Sequence, residues 1–252
     1  MGRLVKDSTI SAQNLISGNS PVLTELNSQF SNTLYVAKNG SDSNDGKSLA
    51  TPFLTIKAAF AAATSGTAVR VASGTYVEDN PLTQPANTAL MGEDLRTVFI
   101  EPSNPTSDFF LMYGGTYVWG VTVRNYQGVC WRYHPSATTV FVSPYIQNIT
   151  SSTTSANATC VLIDGSIGSS TSTKAMILGF MTMLNRSGTG VRLINQAYSQ
   201  AVNIYTLFTN VGIKLESGSF MTLNGSDCSA GIYGIWADGK TELYTGTVQG
   251  NV

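Results

Sequence analysis

Three stretches of this chain, "GVRLINQ" (190–196), "GIKLESG" (212–218) and "GIWADGK" (234–240), begin at evenly spaced positions. At that spacing Val191, Ile213 and Ile235 coincide, as do Leu193, Leu215 and Ala237, and Tyr198 falls on Phe220. Between the two aliphatic columns lie Arg192, Lys214 and Trp236, the alternation of a strand with one face buried. A fixed period in the low twenties, carried by strands, points to a parallel β-helix in which each coil makes one circuit. Equivalent positions then stack about 4.8 Å apart. A leucine-rich repeat has a similar period but needs a Leu-x-x-Leu-x-Leu frame that is absent here. Ile213 is therefore expected inside the solenoid, between Val191 and Ile235.

The 252 residues suit one large all-β domain, and a hydrophobic fraction of 42% supplies its core. Only 12% are charged, about half the usual share, so the surface is polar through Ser, Thr and Asn instead. Such surfaces suit extracellular or virion proteins. The net charge of −1 and the lack of a Lys/Arg run remove the footprint of a nucleic-acid binder. Three scattered cysteines without a CxxC and a single histidine argue against a zinc site and a disulfide framework, and no metal or cofactor is expected. No apolar stretch is long enough to insert in a membrane, and the N-terminus lacks a secretory h-region.

Three segments follow. Residues 1–33 read as a polar arm with a short helix at 20–30, where Ser20 caps and Pro21 opens the turn. Residues 34–84 read as a strand–helix–strand cap. There "TPFLTIKAAFAAA" places Phe53, Ile56, Ala59, Phe60 and Ala63 at helical spacing, with Thr51 as N-cap and Pro52 first in the helix. Residues 85–252 read as coils of short strands broken by Gly, Asn, Asp and Ser. The next leading glycine would fall past Val252, so the last coil is expected to need a cover, from further chain or another subunit.

"YVAKNGSDSNDGKSLATPFLTIKAA" (35–59) resembles the opening of right-handed parallel β-helix proteins of the pectin-lyase-like fold. "VRVASGTYVEDNPL" (69–82), "ALMGEDLRTVFIEP" (89–102) and "VWGVTVRNYQG" (118–128) resemble their first coils, and the likeness continues through 196–239. More specifically, these stretches resemble tail-fibre, tailspike and baseplate-associated virion proteins of marine and cyanobacterial tailed phages. The resemblance implies a right-handed parallel β-helix, a solenoid of about 22 residues per coil, with an N-terminal capping helix and an extended arm. It also implies a homotrimer that docks on other tail or baseplate proteins through residues 1–33 and leaves the host by lysis.

The fold hosts lyases, hydrolases and inert fibres alike, so activity must be argued from side chains. Glu216 and Asp238 are one period apart and should stack in adjacent coils, near the separation used by retaining glycosidases. Both lie beside glycine, however, in what reads as a solvated turn. Arg192, Lys214 and Trp236 form an outward column that could bind a sugar, although a solvated strand face or subunit contact explains it as well. His134 has a proline after it and no acid placed to orient it. Asp42 and Asp45 lie in a calcium-loop-like run without the bidentate Glu, and read as turn residues bonding their own backbone. Asn148 and Asn157 head Asn-x-Ser/Thr matches expected by chance. No catalytic residue is assigned. The expected function is a structural and adsorption component of a phage tail or baseplate with a glycan-binding surface. The alternatives are a tailspike depolymerase, lyase or hydrolase, acting on host polysaccharide, and a secreted bacterial carbohydrate-active β-helix.

Overall fold

The computed structural model describes residues 30–137, 142–167, 175–239 and the backbone of 247–250. It is an all-β solenoid of about 7 parallel stacked coils of about 24 residues, with very little helix. Residues 1–29 of the expected arm at 1–33, including nearly all of the helix expected at 20–30, lie outside the described residues.

The chain enters on β1 (Asn32–Val36) and forms the helix α1 (Ile56–Ala62). The first complete coil is β2 (Thr67–Val71), β3 (Gly74–Glu78) and β4 (Leu82–Gln84). The second is β5 (Ala89–Gly92), β6 (Val98–Pro102) and β7 (Phe110–Met112), and the third is β8 (Tyr117–Trp119), β9 (Thr122–Arg124) and β10 (Val129–Tyr133). In the next three coils the first two strands fuse into one bent strand. These coils are β11 (Tyr145–Thr153) with β12 (Thr159–Asp164), β13 (Ala175–Asn185) with β14 (Thr189–Ile194), and β15 (Tyr198–Leu207) with β16 (Val211–Glu216). The last are β17 (Phe220–Asn224), β18 (Asp227–Ser229), β19 (Tyr233–Asp238) and β20 (Thr247–Gly250).

The strands pair in parallel and form three ladders. Ladder one runs from β1 to β20 through the first halves of the bent strands. Ladder two runs from β3 to β18 through their second halves. Ladder three runs β4–β7–β10–β12–β14–β16–β19. Alternation sends one side of each ladder inward. In ladder one, Val69, Leu90, Val118, Ile146, Leu178, Ala201 and Leu223 stack in register and are all buried. In ladder three the column is Leu82, Phe110, Trp131, Val161, Val191 and Ile213. Tyr198 stacks on Phe220 at 5.3 Å, as their offset predicts.

The short, even period is confined to the last coils. There Tyr198 pairs with Phe220 and Thr189 with Val211, whereas upstream Tyr145 pairs with Ile177 and Thr159 with Thr189, which are much longer circuits. The extra residues sit in the corners, so register survives them. The expected burial of Ile235 needs correction. It keeps its place opposite Ile213, itself fully buried, but is 44% exposed because no described strand lies above it.

One corner, between ladders one and two, must turn the chain sharply in coil after coil. It does so with a left-handed residue: Gly120, Asn148, Phe180, Asn203 and Gly225 have φ of 72°, 51°, 50°, 53° and 58°. Glycine and asparagine tolerate that conformation, whereas phenylalanine adopts it at a steric cost. Asn148 is thus a corner residue whose carbonyl accepts from the Gly120 N–H.

The helix starts later than predicted. Thr55, not Thr51, is the N-cap, accepting from the Ala58 N–H, while Phe53 is extended and bridges to Val36. Two carboxylates outside the helix fix this start. Asp42 accepts from the Leu54 and Thr55 N–H groups, and buried Glu78 accepts from those of Ile56 and Lys57. With Ile56, Ala59 and Phe60 buried, α1 packs against the first coil.

Ile213→Asp should place an uncompensated charge in the ladder-three column and lower unfolding stability by at least about 3 kcal/mol in urea melts. Phe180→Asn should do the opposite, raising stability by about 0.5–1 kcal/mol by relieving the left-handed strain.

Candidate functional site

The outer surface of ladder three carries charged, aromatic and aliphatic side chains in register. Its strands alternate, so the outward column reads Leu111, Arg132, Leu162, Arg192, Lys214, Trp236. The three residues at the end of this column are the ones the sequence placed together. A second outward position, at the ends of β16 and β19, sets Glu216 opposite Asp238 in the neighbouring coil. Both carboxylates therefore face outward one ladder spacing apart, roughly 5 Å between backbones.

Glu216 is not a free carboxylate. The Arg192 Nε–H donates to Oε2 at 2.6 Å, and the Lys214 ammonium lies 3.2 Å from Oε1. Burial works to raise the Glu216 carboxyl, but the bonds and charges of Arg192 and Lys214 outweigh it and hold the group below its ordinary value. Lys214 also lies over the Trp236 ring, 5.1 Å from its centre, and Tyr233 leans on the same indole at 5.1 Å. Trp236 remains 40% exposed. Beside this cluster is a shallow depression of about 290 Å³, lined by Arg192, Ile194, Asn195, Glu216, Ser217 and Asp238.

A retaining glycosidase needs one ionised nucleophile and one carboxyl raised to act as acid. Glu216 has the first property but spends both oxygens on cations. A clamped carboxylate beside two cations and an indole is suited to holding hydroxyl-rich or charged groups instead.

Farther down the same face lie groups that the sequence reading did not assemble. Arg132 pairs with Asp108 at 3.2 Å, and Asp164 accepts from Asn195 and Ser166. Burial pushes the Asp164 carboxyl up, but those bonds and the Arg132 charge hold it below its ordinary value. The repeat gave no signal for them, because the coils that carry them differ in length: Phe110 pairs with Trp131, but Val129 pairs with the far more distant Thr159. His134 stacks on Tyr113 at 4.7 Å, and its Nδ1 lies 3.1 Å from the Tyr113 hydroxyl and accepts from the Ser136 N–H. The ring thus anchors a turn.

The other candidates are accounted for structurally. Asp45 accepts from the Lys47 N–H and the Thr51 hydroxyl, as a turn residue would, whereas Asp42 reaches forward to the helix start. Among the described residues no group of three His, Cys, Asp or Glu is placed to hold a metal ion. Cys130 and Cys160 are fully buried thiols, pushed up by burial, Cys160 to about 12, and so are poor nucleophiles.

The family described as "Protein of unknown function (DUF1565)" matches residues 38–97, less than half of the chain. The match spans the polar turn, α1 and the first coil. This family is common in β-helix proteins, in agreement with the fold. No curated protein and no solved structure matches the chain.

Because Glu216 is held ionised, its contribution to stability should be complete above its ordinary 4.5 and vanish as pH falls through its lower folded value. For so exposed a cluster the effect is small, at most about 1 kcal/mol. Urea melts between pH 5 and 2.5 should show a slope that Glu216→Gln reduces, with Asp164 and Glu101, also held below their ordinary values, supplying part of the remainder.

Proposed function

We propose that this chain is a rigid structural and adsorption component of a phage tail or baseplate, attached through residues 1–33. In this reading it presents the ladder-three face to a host surface glycan and does not cleave it. The observation that carries the binding role is the Glu216 cluster, in which Arg192 and Lys214 engage both carboxylate oxygens beside the half-exposed Trp236. Such a site offers an indole for stacking and fixed charges for hydrogen bonding, without an acid–base pair free to act. The tail or baseplate setting draws its support from the resemblance of residues 34–250 to virion β-helices and from a surface poor in charge.

The alternative of a depolymerase rests on the in-register stacking of Glu216 and Asp238. Incubation with host-derived polysaccharide separates the two readings. Adsorption predicts retention on immobilised polysaccharide, weakened about tenfold by Trp236→Ala, with chain length unchanged. Shortened chains, abolished by Glu216→Gln or Asp238→Asn, would establish cleavage instead. An absence of both retention and shortening with every host polysaccharide would refute both roles for this face.

A further inference from the structure

Cys130 and Cys160 belong to one column of ladder three. Val129 pairs with Thr159 and Trp131 with Val161, so the two cysteines between them stand opposite each other in adjacent coils. Both side chains are fully buried. The same register places buried Phe109 next to Cys130 on one side and Gly190 next to Cys160 on the other. Neither neighbour offers a reactive group, so each thiol has the other as its partner in the column. The third cysteine, Cys228, is half-buried on ladder two, opposite Thr206.

We infer that Cys130 and Cys160 form a disulfide that clips the third coil to the fourth when the chain folds under oxidising conditions. Stacked strands hold equivalent Cα atoms about 4.8 Å apart, inside the range of about 4.4–6.8 Å that a disulfide spans. The two side chains leave parallel strands in the same direction, so their Cβ atoms are about as far apart. A local closing of roughly half an ångström brings them to bonding range.

The step balances with a small-molecule disulfide as oxidant. One cysteine thiolate attacks a sulfur of oxidised glutathione and releases a glutathione thiolate. The other cysteine thiolate then attacks the mixed disulfide, forms the Cys130–Cys160 bond and releases the second glutathione. The protein loses two protons and two electrons, and one oxidised glutathione becomes two thiols. Burial decides when this happens. In the closed solenoid both thiols are shielded and held protonated, Cys160 pushed up to about 12, so neither reacts there. The bond forms while the coils are still docking, and the finished core then protects it from reductants. The glycan reading has no part in this, because neither cysteine reaches the outer face.

Refolding tests the clip. The whole chain, reduced and unfolded in urea, is refolded in a glutathione redox buffer, alkylated in urea, and mapped by proteolysis and mass spectrometry. A peptide pair joined through Cys130 and Cys160 is expected, with Cys228 alkylated. Compared with chain refolded in dithiothreitol, the oxidised chain should show a urea midpoint raised by about 1 M, because the cross-link restricts the unfolded state. Cys130→Ala and Cys160→Ala should each abolish that difference, and Cys228→Ala should keep it. Alkylation of both Cys130 and Cys160 in the oxidised preparation, glutathione retained on either, or a link from either to Cys228 would overturn the clip. Should the chain fail to refold from urea, the folded protein is held in the same buffer just below its unfolding transition, where opening of the coils admits the oxidant. The same linkage is expected there, and free thiols refute it.

Discussion

Each strand of this solenoid satisfies its N–H and C=O groups only by lying in register on the coil below, and this forces identical positions to stack. Once stacked, an inward position is under pressure to be apolar in every coil, as Leu90, Val118, Ile146 and Leu178 are, and a polar exception such as Ser151 is bonded inside the core, here to Tyr126. An outward position becomes a line of side chains one strand spacing apart. The Glu216 cluster is a product of that rule. Arg192 and Lys214 come from adjacent coils, and their shared carboxylate lies within reach of both because the ladder fixes the spacing.

The corners answer to a different demand. A triangular circuit has to turn the backbone sharply at fixed points, which the left-handed region provides. Asn148 and Asn203 fulfil this directly, whereas Phe180 adopts the same conformation at a steric cost. At the first coil the demand takes another form, because a helix end brings unpaired N–H groups into the structure. Glu78 and Asp42 supply acceptors for three of them, those of Thr55, Ile56 and Lys57, tying α1 to the strands it packs against.

How much of this could be read from the sequence follows from the same physics. The last coils have equal lengths, so Val191, Ile213 and Ile235 announced the period, and with it the grouping of Arg192, Lys214 and Trp236 and the stacking of Glu216 on Asp238. Upstream the inward columns are just as regular in space, but corner segments of different length hide them in the sequence. Arg132, Asp108 and Asp164 were illegible for that reason. The helix start was misread because Thr51-Pro52 and Thr55 both satisfy the local capping rule, and acceptors distant in sequence decide between them. Ile235 was misread because burial depends on what lies above a strand, which its own pattern does not encode.

The unequal corners also make the solenoid a scaffold with separable parts. The circuit from Tyr145 to Ile177 is much longer than the one from Tyr198 to Phe220, yet both pairs stack in register on the same ladder. The difference is absorbed without displacing a column. A corner can therefore gain or lose a segment while the faces stay fixed, and an outward face can be altered one rung at a time. A protein built this way can change what it displays on its edges and what it contacts on its faces as independent traits.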